Sequence, residues 1–587
     1  VIGYGKIKQK EVTGAISKMD AEVIDELKPI KVEQAMQGTM AGVNVTSKSG
    51  APGSGFYIRI RGVSTNVDAA PLVIIDGYVG DLNTINPKDI ENISVLKDAQ
   101  AAIYGVSGAN GVILVTTKTG KKGTPTTVTF DSYYGLQETS RTIPLLDATE
   151  YAAILNESYA ANGQAVPYPD ISGIGVGTDW QKELFQTAPV FDNSLSFSGG
   201  GEKTVYSFSV SDLSQDGIIG GDKTSYDRTT ARLSLGTELY SWLKFTTTVS
   251  YIHFKNKSIN EFGLASVLFN ALNMPSVHPV YDENGDYFLA PSNLGIEVIN
   301  PLAQIANTYN EYNYNKLNGN VDLTANFAKY FTATARLGFN TAYDKSKSFS
   351  PIVDYGGKVF DITRSSVNQG NNNYNDYTFD AFANYERTFT DKHHLTVTLG
   401  TSVFKDWGNG LNATGYDIPN NSWEFADISL ANGVNETKSA GSYVYDLRRL
   451  SYFGRVQYDY KGKYLLSAMI RRDASTRFGP DKAVGYFPSA TAGWNISDEA
   501  FMEDINIINL LKLRASYGIL GNDRIPNYGY IAQLNGEGTY VLDNMLYYGV
   551  AIGTLSNPSI GWEESKKFDI GLDISLFSDK LDFTFDD

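Results

Sequence analysis

The chain has 587 residues, 12% of them aromatic, with 38 Tyr, 56 Gly and no Cys. The missing thiols exclude a disulfide framework, a Cys-based zinc site and a thiol nucleophile, and a net charge of 49 − 65 = −16 argues against a nucleic-acid partner. No run reaches the roughly 18 apolar residues of a membrane-spanning helix, which leaves a large soluble β protein or a membrane β-barrel, whose strands have weak hydropathy signals.

Neither a basic leader nor Met opens the chain, so Val1 is expected not to be the natural N-terminus. A helical segment is predicted over residues 20–41, interrupted at Pro29, with Val23, Leu27 and Ile30 on one face and Val32, Ala35 and Met36 in a second apolar group. Short strands are predicted at 42–47, 56–61, 72–75, 93–96 and 112–117, separated by Gly-, Asn- and Pro-rich turns. Residues 1–120 therefore read as a compact α+β unit, and 119–124 (TGKKGT) as a linker.

From about residue 127 the pattern is almost wholly β. In 567–576, Phe568, Ile570, Leu572, Ile574 and Leu576 oppose Lys567, Asp569, Asp573 and Ser575. In 450–460, Leu450, Tyr452, Val456 and Tyr458 oppose Ser451, Arg455, Gln457 and Asp459, with Phe453 alone on the polar side. A one-residue slip would invert both faces. In lipid, each Lys or Arg so exposed near the midplane would cost about 2–4 kcal/mol. Tight turns at 199–203, 240–241, 328–330, 391–393, 460–463 and 578–580 alternate with long polar connections at 256–314, 343–373, 407–445 and 522–563. That asymmetry is typical of outer-membrane barrels, with short periplasmic turns and long extracellular loops. The pattern predicts about fifteen strands over 121–587. An open edge cannot be satisfied in hydrocarbon, so further strands are expected beyond Asp587, towards the 22-strand plugged class.

Four segments and a fragment carry a family resemblance: VIGYG (1–5), IRIRG (58–62), PLVIIDG (71–77), INPKDIENISVLKD (85–98) and IYGVSGANGVILVTTK (103–118). In this order they resemble the plug of SusC/RagA-family TonB-dependent outer-membrane transporters. The resemblance implies a mostly β fold: a transmembrane antiparallel β-barrel with an N-terminal α+β plug in its lumen. It further implies localisation in the cell outer membrane and TonB-coupled import of oligomeric nutrients, with a SusD-like surface lipoprotein as lid. Glycan oligosaccharides are the favoured substrate; a RagA-type peptide importer and a soluble β-rich carbohydrate-binding protein are the alternatives. A dimer of transporter–lid pairs and contact with outer-membrane lipid belong to the same expectation. Val1, Ile2 and Gly3 resemble the end of the segment holding the energy-coupling box. The plug's apical loops, 49–56 and 78–83, are expected to face the cavity, which makes Phe56, Tyr57, Tyr78, Asp81 and Asn83 the substrate-binding candidates.

Other motifs read as structure. Gly105, Gly108 and Gly111 follow GxxGxxG, neither a dinucleotide fingerprint nor a Walker loop, and are expected where positive φ or close packing is required. Asp76-Gly77 is a turn signal, and DENGD (282–286) reads as a turn rather than a calcium loop. His393-His394 stands without a third ligand. Arg59 and Arg61, on the polar face opposite Ile58 and Ile60, are candidates to pair with wall carboxylates such as Asp459, Asp569 and Asp573. The Asn- and Tyr-rich stretch 371–377 is assigned to a loop. No enzyme signature, metal site or cofactor site is expected.

Overall fold

The computed structural model describes residues 9–291, 297–432, 438–505, 507–578 and 580–586. Val1, Ile2 and Gly3 lie outside the described residues.

The N-terminal unit contains β1 (Ile16–Asp20), α1 (Ala21–Leu27), α2 (Val32–Met36), β2 (Val43–Ser47), β3 (Phe56–Ile60), β4 (Leu72–Ile75), β5 (Tyr78–Val79), β6 (Ile90–Leu96) and β7 (Val112–Thr117). Pro29 separates the two helices, as its missing N–H and fixed φ require. The second helix restarts at Lys31, where Gln34 Oε1 accepts the backbone N–H groups of Ile30 and Lys31 at 2.9 and 3.1 Å. Val32, Ala35 and Met36 are fully buried among Ile93, Ile113 and Val115. Five strands form one sheet in the order β1-β6-β7-β4-β5, with β4 parallel to β7, while β2 and β3 pair separately. The strands β1 and β5, which short-range pattern did not mark, are the two edges of that sheet.

The remainder comprises β8 (Thr124–Gln137), α3 (Ala148–Ala161), α4 (Trp180–Leu184), β9 (Ala188–Gly200), β10 (Thr204–Asp216), β11 (Ser225–Tyr240), β12 (Leu243–Lys257), α5 (Val267–Asn273) and α6 (Pro301–Ala306). Then follow β13 (Tyr309–Ala328), β14 (Phe331–Ser350), β15 (Ser366–Phe389), β16 (His393–Tyr416), β17 (Lys438–Tyr460), β18 (Tyr464–Ser475), β19 (Val484–Asn495) and β20 (Ile508–Asn522). The last elements are β21 (Gln533–Leu542), β22 (Met545–Thr554), β23 (Glu563–Leu576) and β24 (Leu581–Asp586). Fifteen of these strands form a single antiparallel sheet in chain order from β8 to β24; β21 and β22 stand apart as a hairpin within the β20–β23 connection.

Each face of the large sheet has the chemistry its strand alternation requires. Along β20, Lys512, Arg514 and Ser516 are buried while Leu513 and Tyr517 are exposed; along β23, Asp569 is wholly buried and Phe568 is 65% exposed. Polar residues turn in and apolar residues turn out, the reverse of a soluble sandwich. The sheet curls around the N-terminal unit, because strands near both ends of its order touch it: Lys88 pairs with Asp192 of β9 at 3.0 Å, and Arg61 with Asp586 of β24 at 3.4 Å.

Two expectations change. The connections 343–373 and 407–445 are shorter than predicted, since β14 continues to Ser350, β15 starts at Ser366, β16 continues to Tyr416 and β17 starts at Lys438. Residues 371–377 consequently lie inside β15, paired on both sides. Composition suggested a loop because Asn is depleted in strands; here outward amides satisfy one another across strands, Asn373 donating to Asn409 at 3.2 Å. Phe453, the exception on the polar face, is buried within 5.5 Å of the Arg471 guanidinium, a cation–π contact.

Candidate functional site

The plug-like unit meets the wall through donors aimed at its backbone. Asn320 donates to the Asp76 carbonyl at 3.4 Å, Arg336 to Gly77 at 3.1 Å and Asn340 to Val79 at 3.1 Å, while Asn318 donates to the Tyr78 hydroxyl at 2.6 Å. The whole β4–β5 turn is thus docked on β13 and β14. Asp76 and Gly77 both take positive φ, 49° and 96°, the geometry of a type I′ turn. A Cβ at Gly77 would meet the Arg336 guanidinium at 2.0 Å. Gly105, at φ 69°, is likewise pressed on Arg471, and Gly111, at φ 87°, on Ile60. All three positions need glycine for both conformation and space.

Arg61 bonds Asp98 and, at 2.8 Å, Asp569 of β23. Asp459 instead caps its own turn by accepting the Gly462 N–H, and Asp573 serves Arg514 and Lys512. Arg59 stays with the N-terminal unit, donating to the Ile58 carbonyl.

Lys31 is 4% exposed, and its ammonium donates to the carbonyls of Gly53 and Ser54 at 2.6 and 2.7 Å and to Asn83 Oδ1 at 3.2 Å. Burial pushes its pKa down to about 8. Nearby Glu33 is shifted upward by burial, and Asp89 is too. Lys31 thereby ties the apical loop around residues 48–55 to the start of α2. That loop also rests on the wall: the Gly53 N–H donates to Gln215, and a Cβ on Gly53 would fall 2.3 Å from the Tyr226 ring.

The five sequence candidates divide. Asp81 and Asn83 are brought together, the Asp81 carboxylate accepting the Asn83 N–H at 3.0 Å and its amide at 3.1 Å. Tyr57 is 51% exposed beside Lys48, whereas Phe56 packs partly on the core. Tyr78 is 3% exposed and turned into the wall, because its edge strand docks there. Asp282 accepts the N–H groups of Asn284 and Asp286 and closes a turn.

The wall supplies a further set that sequence reading missed. Tyr226, Phe254 and Tyr314 contact in series across β11, β12 and β13, with ring centroids 5.3 and 4.9 Å apart. Tyr312 lies 5.8 Å from Phe254 and donates to Asp344 at 3.1 Å. On the other side, Tyr445 donates to Asp406 at 3.0 Å and Tyr443 to Asn372 at 3.0 Å. These side chains share the inward face near the long-connection ends of their strands. The signal was present: Tyr312 and Tyr314 fall on the same parity as buried Lys316, Asn318 and Asn320.

A curled antiparallel sheet, apolar outside and enclosing a docked α+β unit, defines a plugged outer-membrane-type barrel. The family model of the TonB-dependent receptor plug domain matches residues 8–112, and that of the TonB-dependent receptor-like β-barrel matches 261–586. The chain belongs to the TonB-dependent receptor family, and within it resembles the SusC and RagA type. TonB-dependent receptor P39 of Formosa agariphila is 35% identical over 610 residues, covering 100% of this chain and 55% of the relative. TonB-dependent receptor SusC of Bacteroides thetaiotaomicron is 29% identical over 633 residues, covering 99% of this chain and 59% of SusC. The chain therefore spans little more than half the length of the curated relatives it matches. Among solved structures, the RagAB peptide importer in its open-open state superposes with a TM-score of 0.87 at 26% identity, covering 100% of this chain and 68% of that one. A ferric enterobactin receptor of Pseudomonas aeruginosa shares the fold at a TM-score of 0.55 and 14% identity.

Proposed function

We propose that this chain is part of an outer-membrane importer that takes up oligomeric nutrients, most readily glycan oligosaccharides, by TonB-coupled opening of its plug. In this reading residues 1–120 are the plug and 121–587 part of the barrel wall, sited in the outer membrane. Val1, Ile2 and Gly3 end the coupling segment, TonB supplies the pull, and a SusD-like lipoprotein closes the lumen from outside. The single observation that carries the reading is a folded plug docked on the polar face of a sheet whose opposite face is apolar. The family comprises receptors and transporters rather than enzymes, and the role proposed for this chain is carriage without chemistry.

The glycan preference rests on the inward wall. Aromatic rings such as Tyr312 and Tyr314 offer faces to sugar rings, and Asp344, Asp406 and Asn372 offer acceptors to hydroxyl groups. From the plug, Tyr57, Asp81 and Asn83 complete the proposed contacts, and Phe56 and Tyr78, packed on the core and the wall, are proposed to hold these loops in place. The peptide reading is favoured by one specific observation, the likeness to the RagAB peptide importer. Purifying the full-length protein in detergent and identifying co-purifying molecules by mass spectrometry tests both. Oligosaccharide with a surface lipoprotein is the expected result; bound peptide transfers the assignment to the second reading, and a monodisperse protein soluble without detergent overturns both.

A further inference from the structure

The plug is held firmly on one side of the wall. Arg232 of β11 donates to Asp76 and Thr117, Lys88 pairs with Asp192 of β9, and Gln215 of β10 accepts the Gly53 N–H. On the far side two posts stand apart: Arg336 of β14 holds the Gly77 carbonyl, and Arg471 of β18 holds the Ile103 carbonyl at 3.1 Å. Between them, at β15–β17, lies a cavity of about 70 Å³. Its plug side includes Leu72, Ile74, Val79 and Val106 beside Tyr78 and Tyr104; its wall side includes Asp380, Ser402 and Ser451.

Wall hydroxyls and carboxylates here face aliphatic plug side chains, and some polar atoms are left unserved. Asp380, 4% exposed, is bonded to Ser402, yet its Oδ1 has no hydrogen-bond partner among the described residues. The same holds for Nε of Arg455, 6% exposed on the inward face of β17. A cavity bordered by unpaired polar atoms makes this seam a place where plug and wall can part. The seam lies on the same inward face of β15–β17 as Asp406 and its partner Tyr445. Asp376 and Asp380 alternate along one face of β15, and Asp376 stands directly opposite Asp406 of β16.

Resting on the import reading, we propose that solute passes the plug down β15–β17, between the posts Arg336 and Arg471, and not along β9–β11. Asp380, Ser402 and Ser451 then serve as hydrogen-bonding stations for the hydroxyl groups of a passing oligosaccharide. The 587 residues contain no Cys, so, with any Cys elsewhere in the full-length protein replaced by Ser, single thiols can mark each side. Thr378→Cys and Ser451→Cys report the seam; Ser209→Cys and Ser234→Cys, buried on the inward faces of β10 and β11, report the opposite wall. Each is placed in the full-length protein in cells, with heat-modifiable mobility as the folding check, and probed with sulfonatoethyl methanethiosulfonate.

In energised cells supplied with a mixed oligosaccharide digest, labelling at 378 and 451 should run several-fold faster than after a protonophore, while 209 and 234 stay unchanged. Energy-dependent labelling at 209 or 234, or equally on both sides, leaves import standing and overturns the route. Labelling indifferent to energy at all four positions fails the import reading and takes the route with it.

Discussion

At Gly105 the backbone sits at φ 69° and a Cβ would fall 2.3 Å from Arg471 Nε. Gly105→Ala should therefore destabilise the plug by about 1–3 kcal/mol, read as faster hydrogen exchange over residues 98–108; wild-type protection would refute the strain argument. Lys31 makes a pH prediction with a definite sign. Its folded pKa, about 8, lies below its ordinary 10.5. Between those values the unfolded chain binds more protons than the folded one, so this group makes plug stability rise with pH across that window. Glu33 acts oppositely: raised by burial from 4.5, it makes stability fall as pH climbs above that ordinary value towards the folded one. Lys31→Met should abolish the alkaline rise in the stability of α2, followed by hydrogen exchange corrected for intrinsic rates. A rise that persists would assign it to another group.

Strand faces are set by alternation, and substitutions should follow the face. Leu513 points outward from β20 between buried Lys512 and Arg514. In a bilayer, Leu513→Lys should cost about 2–4 kcal/mol near the midplane, measured by unfolding in lipid with gel mobility as the reporter. Leu534→Lys is the control: Leu534 is 65% exposed on β21, outside the large sheet, and its replacement should stay within about 0.5 kcal/mol. Equal costs at the two sites would mean that lipid does not touch β20.

Across the whole molecule, plug and wall are joined by buried charge. Asp569 is wholly buried and shared between Arg61 of the plug and Arg514 of the wall. Arg61→Met removes one partner and leaves the Asp98 and Asp569 charges undercompensated, an imbalance that costs up to about 3–5 kcal/mol in fully buried pairs and less here, since Arg61 is 23% exposed. Protease cleavage within the plug should appear at lower urea than in the wild type, while the barrel persists. Adding Asp569→Asn should recover part of the loss; no recovery would show that Arg61 acts through Asp98 alone.

The strand faces, the helix break at Pro29 and the turn at Asp76-Gly77 were legible beforehand, because each follows from chemistry within a few residues: a period of two, a missing N–H, a positive φ. Of the Arg–carboxylate pairings anticipated, Arg61–Asp569 formed, although its partners stand 508 positions apart, whereas Asp459 and Asp573 went to other groups. The extent of β14–β17 was not legible, since an outward Asn is stable in a strand only when a neighbouring strand brings it a partner. Nor was the burial of Tyr78, or the row Tyr226–Phe254–Tyr314. Those depend on which segments the curled sheet lays side by side, and local pattern carries no information about neighbours that arrive from tens to hundreds of residues away.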